Sequence, residues 1–426
     1  MLDIKLIREQ QKLVEQNLKK RGDTGKLKLL HDVISADKKR REAIQQAEKL
    51  KHQRNILTRE IASLKSKGKT AASKLREVKS IPDKIKKLDV QLALLDERCR
   101  LGLMSLPNML HESVPVGTDE SGNVETRKYG KKPEFDFGPR SHLDILKQLG
   151  MIDFERAAKT SGAGFYYLKG DAVILDMALQ RFAIDFLTKQ RGFTIVEPPL
   201  MINRTAYEGV IDAADFEMVT YKVENEDLYL IATAEHPLGA QFMGETFSAA
   251  QLPLKLAGIS PCFRKEVGSH GKYTKGLFRV HHFNKIEQFV FCKPEASWQL
   301  FEELQQNAEA LYQQLGLHYR VVSICTGDIG NIAAKKYDIE VWMADDTFRE
   351  SGSCSNCTDY QARRLGIKYR EKEGSPPIGF VHTLNNTALA TSRAMIAVIE
   401  QFQQEDGTVA IPKALQPYTG FPILGA

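Results

Sequence analysis

The chain is poor in the features that mark secreted, membrane-spanning or dinucleotide-binding proteins. Its six cysteines, at positions 99, 262, 292, 325, 354 and 357, are spread irregularly through 426 residues. That is too sparse for a disulfide framework, so a reducing compartment is expected, with the cytoplasm as the default. No window of eighteen residues is continuously apolar, which leaves no candidate membrane span. Residues 1–17 alternate charged with apolar side chains and so do not read as a signal peptide. Neither the glycine fingerprint of dinucleotide folds nor the P-loop signature occurs, and no internal repeat is evident.

What is present begins with charge. The formal balance of +6 is modest for this length, but between positions 38 and 79 fourteen Lys or Arg face only four Glu, an excess of ten. Such asymmetry points to a polyanionic partner. In the same region Ala43, Ala47, Leu50, Arg54, Leu57, Ile61 and Leu64 are spaced by fours and threes, as are Val78, Ile81, Ile85, Leu88, Leu92, Leu95 and Cys99. These are two coiled-coil seams. Ser66-Lys67-Gly68-Lys69-Thr70 lies between them as a reversal, so one antiparallel helical hairpin is predicted, with a helix over 37–65 roughly 40 Å long. Pro82 is a candidate kink in the second helix. A dimerising coiled coil with a solvated basic face would give the same pattern.

Over 106–139 the periodicity stops and Pro and Gly accumulate, which places a domain junction there and predicts an N-terminal unit of 1–105 and a second of 106–426. Beyond it, 165–168 reads as a strand, Asp171 as an N-cap and 172–188 as an amphipathic helix. The most informative segment is 259–287, where two alternating stretches flank a basic, Gly-containing loop. Residues two apart on a strand share a face. Arg264 and Glu266 therefore fall together, as do Arg279, His281, Phe283, Lys285 and Glu287. Antiparallel pairing would merge these into a polar floor: a guanidinium for phosphate or carboxylate, a ring for adenine, carboxylates for amines.

Three segments carry a family resemblance. Phe263-Arg264-Lys265-Glu266, the basic loop and 283–287 resemble motif 2 of the class II aminoacyl-tRNA synthetases, specifically the seryl-tRNA synthetases. Ala232-Thr233-Ala234-Glu235 resembles that family's Thr-x-Glu element. Thr383-Leu384-Asn385-Asn386-Thr387-Ala388-Leu389-Ala390-Thr391-Ser392-Arg393 resembles its motif 3, and 192–199 its motif 1. The resemblance implies an α+β architecture, in which an N-terminal antiparallel coiled-coil hairpin precedes a catalytic domain built on an antiparallel β-sheet flanked by helices. It implies a serine–tRNA ligase that forms seryl-adenylate from ATP and serine and then loads tRNA(Ser), a homodimer through the motif 1 helix and strand, and tRNA binding by the basic arm.

Residue by residue, it implies that Thr233, Ala234, Glu235, Arg264, Glu287 and Thr387 bind serine. Thr233 and Glu235 are expected on one strand face, with Glu235 taking the ammonium. ATP would lie on Arg264, Lys265, Glu266, Val280, Phe283, Glu350, Ser351, Gly352, Ser353 and Arg393, with Arg264 and Arg393 as the catalytic residues. Glu350 and Ser353 would hold Mg²⁺, a cation content with few carboxylates plus phosphates and water. Two departures stand out. Asn386-Thr387-Ala388 replaces a common Gly-Ser-Gly, tightening the pocket while keeping a hydroxyl. Cys354-Ser355-Asn356-Cys357 is half a zinc site without a second half at ligand spacing, so buried thiols are the better reading than zinc. Rival readings are an adenylate-forming paralogue loading a non-tRNA acceptor and a non-catalytic RNA-binding coiled-coil protein.

Overall fold

The computed structural model describes residues 1–212, 216, 218–266 and 276–426. The loop expected to join the two polar strands, at 267–275, thus lies outside the described residues. The chain divides into two units, Met1–Pro107 and Asn108–Ala426.

The first unit is helical: α1 (Ile4–Glu9), α2 (Gln11–Lys20), α3 (Thr24–Ser66) and α4 (Ala72–Ser105). Helix α3 starts earlier than the seam suggested, behind Asp23, whose side chain caps the Lys26 amide, and its 43 residues span about 65 Å. The seams are the buried line. Ala43, Ala47, Leu57, Ile61, Ile81 and Cys99 are buried, whereas Arg54 is exposed. Reversal follows a Schellman end, in which Gly68 adopts φ +67°, its amide donates to Lys65 O at 3.1 Å and the Lys69 amide to Leu64 O at 2.9 Å. Pro82 does not break α4. Gly102 marks a close helix crossing, since a Cβ there would sit 2.3 Å from Val33 Cγ2. Arg40 bonds Asp96 and Lys74 bonds Glu60 across the two long helices.

The second unit is built on an eight-stranded sheet of β1 (Val124–Tyr129), β2 (Thr194–Val196), β3 (Leu254–Phe263), β4 (His282–Cys292), β5 (Tyr319–Ser323), β6 (Lys335–Trp342), β7 (Phe348–Asn356) and β8 (His382–Ala390). The order is β1-β5-β6-β7-β8-β4-β3-β2. Every pair is antiparallel except β2 with β3, which run parallel, so the sheet is mixed at one edge rather than wholly antiparallel. Strand β1 comes from the segment read as a linker. All six of its residues are exposed, and a strand with no buried face leaves no alternation to detect.

Helices α5 (Asp171–Gln190), α7 (Ser297–Gln314) and α8 (Thr391–Gln401) contribute to the main apolar core, with Leu179, Phe186, Phe301, Leu304, Ile396 and Val398 wholly or nearly wholly buried. Gly170, not Asp171, occupies the cap of α5, with φ +57°. Asp171 is the first helical residue, where a carboxylate complements the helix dipole. The short helix α6 (Glu235–Ala240) lies at the site. Among the described residues no helix is long and apolar enough to cross a membrane.

Candidate active site

The site is one face of the sheet. In β6, Lys336, Asp338 and Glu340 alternate onto that face and pair with Ser355, Ser353 and Glu350 of β7. Ser355 pairs with Asn385 of β8, Thr387 of β8 with Glu287 of β4, and Lys285 and Phe283 of β4 with Ser260 and Cys262 of β3. The opposite face is sealed by α7, whose Leu304 carbonyl accepts Gln288 Nε2 at 3.2 Å and Asn386 Nδ2 at 2.7 Å.

A bulge decides the metal-ligand candidates. Three residues apart on a regular strand, Glu350 and Ser353 would face opposite sides. Between them the register shifts, so that Gly352 pairs with Ile339, Glu350 with Glu340 and Ser351 with nothing. The extra residue resets the alternation and puts Glu350 and Ser353 on the same face. Ser351 is buried, with its hydroxyl 2.7 Å from Tyr312 Oη of α7.

Thr233 and Glu235 do not share a strand. The Thr-Ala-Glu element is a turn entering α6, with the Glu235 amide 3.2 Å from Thr233 Oγ1. It lies directly over β3 at Gly258, where a Cβ would come within 2.8 Å of Ala234 Cβ and 2.7 Å of Leu238 Cδ1. Thr233 donates to buried Glu287 at 3.3 Å, and Glu287 pairs with buried Lys285. Glu235 Oε1 accepts Gln361 Nε2 at 3.0 Å and Asn385 Nδ2 at 2.9 Å. Desolvation first, then Glu287, push Glu235 up to about 7, against the pull of Lys285 and Arg264. Neighbouring His236 is buried with its Nδ1 unpartnered among the described residues. Burial, with Lys285 and Arg264, drives its pKa down to about 3, so it stays neutral beside these charges.

Arg264 sits just past the end of β3. Its Nε donates to Ala232 O at 3.2 Å and its guanidinium lies 5.2 Å from the Phe283 ring centre. A cleft of about 590 Å³ is lined by Thr233, Glu235, Arg264, Glu266, Lys336 and Asn385, among others. A smaller cavity is lined by Arg264, Phe283, Lys285, Glu350, Thr387 and Arg393, with Ser351 and Gly352. Arg264 belongs to both. Arg393, third in α8, meets Glu350 Oε1 at 3.1 Å and lies 4.8 Å from the Phe278 ring centre. Loss of solvent works to raise Glu350, but Arg393, Lys336 and Arg264 outweigh it and hold the carboxylate at about 2.

The remaining expected residues have the following surroundings. Ala234 is fully buried and Val280 joins Cys262, Phe283 and Ala390 in an apolar cluster. Lys265 donates its amide to Val219 O. Ser353 is half-buried and donates to Asp338 Oδ1 at 2.5 Å. Glu266, at φ +50°, bonds Arg279. Cys354 bonds Phe301 O on the α7 side, while Cys357 takes Asn385 Nδ2 on the cleft side, and burial raises both thiols well above their ordinary range. Sequence reasoning missed Asp338, Lys336 and Gln361. The alternation Lys336, Asp338, Glu340 was a readable signal for the first two; Gln361, on a separate helix, gave none.

An antiparallel-dominated sheet bearing a motif 2 arginine, a motif 3 helix and a polar floor defines the catalytic core of a class II aminoacyl-tRNA synthetase, and residues 219–402 match the tRNA synthetase class II core domain (G, H, P, S and T). Residues 1–110 match the seryl-tRNA synthetase N-terminal domain. A serine–tRNA ligase of Methanocella arvoryzae is 54% identical over 98% of this chain and 98% of its own. The crystal structure of seryl-tRNA synthetase from Pyrococcus horikoshii complexed with ATP superposes with TM-score 0.97 at 48% identity, covering 100% of this chain and 99% of that one. The cytoplasmic enzyme of Naegleria fowleri in complex with AMP gives 0.91 at 34%, covering 100% and 98%. The chain belongs to the seryl-tRNA synthetase family, and it is a ligase.

Proposed function

We propose that Arg264, which lines both the cleft and the small cavity beside it, holds serine and ATP side by side for a two-step aminoacylation. The observation that carries this reading is that one guanidinium lines both. A planar cation there can hold the serine carboxylate and the ATP α-phosphate together, which offsets the repulsion of one anion attacking another. Glu235 takes the ammonium, Thr233 and Ala234 form the turn that presents it, and Glu287 with Thr387 receives the serine hydroxyl. Alanine would leave Glu287 without that donor and be rejected strongly.

Phe283 stacks adenine, Glu266, Lys265 and Val280 flank it, and Arg393 with Ser351 and Gly352 frames the phosphates. Glu350 and Ser353 offer a carboxylate and a hydroxyl on one face, a sparse oxygen set suited to Mg²⁺ that keeps phosphate and water ligands. When bound, Mg²⁺ neutralises phosphate charge. The serine carboxylate attacks the α-phosphorus in line, pyrophosphate leaves, and no protein nucleophile is required. A terminal ribose hydroxyl of tRNA(Ser) then attacks the adenylate carbonyl and AMP leaves, with a substrate phosphate oxygen able to take the proton.

The 1–105 hairpin, with its basic run, supplies the tRNA contacts. Exposed Ile174 and Met177 on α5 and Ile195 on β2 support a homodimer through the motif 1 elements, since exposed apolar side chains of this kind gather at interfaces. Six free, buried cysteines suit the cytoplasm. The test is transfer of labelled serine to a tRNA(Ser) transcript by the purified protein. Acid-precipitable label that requires ATP and Mg²⁺ is expected; label independent of ATP, or none, contradicts the reading.

A further inference from the structure

Ser353 carries one hydroxyl proton and two acceptor lone pairs. Its proton is committed to Asp338, which stands directly opposite it on β6 and receives the hydrogen bond at 2.5 Å. Asp338 is 7% exposed. Burial and the nearby Glu350 work to raise its pKa, and Lys336 Nζ, at 3.8 Å on the cleft face, works to keep it ionised.

A hydroxyl whose proton is so fixed can offer only lone pairs to anything else. Toward ATP, whose phosphate oxygens are acceptors, such a group is useless as a donor; toward a cation it is well matched. Phosphate oxygens and a divalent cation compete for the same serine, and its neighbour decides which it serves. We infer that Asp338 is a positioning residue that commits Ser353 to the metal rather than to the nucleotide phosphates, an inference that rests on the ATP reading of this site. It is the outer-sphere carboxylate of the pair formed by Glu350 and Ser353, reached through the neighbouring strand.

The test uses Mn²⁺ as probe, with uptake followed by electron paramagnetic resonance in the presence of a non-hydrolysable ATP analogue, for the full-length protein and for Asp338→Ala, Ser353→Ala and the double variant. Outer-sphere losses run on the order of tenfold or more, so Asp338→Ala should weaken Mn²⁺ uptake by about that factor. On the Ser353→Ala background the same change should do nothing further. Affinity for the analogue without metal should be unchanged or tighter, because the freed hydroxyl proton can now reach a phosphate. A merely structural Asp338 would weaken both affinities together and on both backgrounds, which overturns the inference.

If Asp338→Ala does not fold, Asp338→Leu, branched like Asp at Cγ and without any acceptor for the serine proton, is measured in its place. A several-fold loss confined to the Ser353 background supports the assignment, and unchanged uptake overturns it. Wild-type protein that takes up no Mn²⁺ with the analogue overturns the nucleotide reading itself. Normal wild-type uptake with unchanged uptake by Asp338→Ala overturns this inference alone.

Discussion

The two units hold their charges in opposite ways. In the helical unit most lysines and arginines are exposed, as Lys51 is where it meets Glu48 at 2.9 Å, although Arg8 and Arg41 pair with buried Asp37. In the second unit Lys285, Glu287 and Asp338 are buried, with Lys285 on Glu287 and Asp338 on Lys336 and Ser353. Exposed pairs are worth little singly, and their effect on a polyanion is spread over many groups. Buried pairs are costly to break because the surviving partner is stranded. The hairpin should therefore fail gradually and the sheet face abruptly.

The largest expected effect is at Arg264. Arg264→Ala should lower pyrophosphate exchange by roughly 10²–10³-fold or more, the scale of losing one group aimed at developing charge, while binding of tRNA, measured by filter retention, is preserved. Deleting 37–78 should do the reverse. Adenylate formation continues, and transfer to tRNA is lost at ordinary substrate concentrations. Equal damage to both steps by either change would erase the contrast between the units.

A smaller effect concerns pH. To anchor an ammonium Glu235 has to be ionised, and burial with Glu287 raises its pKa to about 7. The KM for serine should therefore fall about tenfold per unit as pH rises from 5 to 7 and flatten above. Glu235→Gln should abolish the slope. The same shift has a stability consequence of the opposite sign: a raised carboxyl pKa adds stability that is complete below its ordinary value and is lost as pH rises through 7. A pH-independent KM would count against Glu235 as the ammonium anchor.

The difference between the units also governs what could be read from sequence. The hairpin was legible because its seams repeat every three or four residues, and apart from exposed Arg54 the line from Ala43 to Ile61 and from Val78 to Cys99 lies as the spacing indicated. The polar face of β4 was legible for the same reason, in period two. The parts that stayed hidden depend on a break in period or on contacts distant in sequence. The unpaired Ser351 reverses the alternation between Glu350 and Ser353 without any mark in the residue types. Thr233 and Glu235 sit in a turn whose position depends on Gly258. Gln361 reaches Glu235 from 126 positions away. Strand β1, exposed along its whole length, carries no pattern at all.

The smallest expected effects sharpen the comparison from the hairpin's side. Single Lys→Ala or Arg→Ala changes among Arg54, Arg59, Arg76 and Lys79 should leave adenylate formation untouched. Each that removes a phosphate contact should lower the salt dependence of tRNA binding by about 0.7–0.9 in the log–log slope. A single change there that abolishes binding would mean that the hairpin too works through one indispensable group.

The central claim is that the sheet face activates serine on its own. It is tested most directly by pyrophosphate exchange into ATP with purified protein and Mg²⁺, offering each amino acid in turn and no tRNA. Exchange with serine, with alanine and threonine far behind, is the predicted result. Exchange with another amino acid ahead of serine, or with none, would contradict the account.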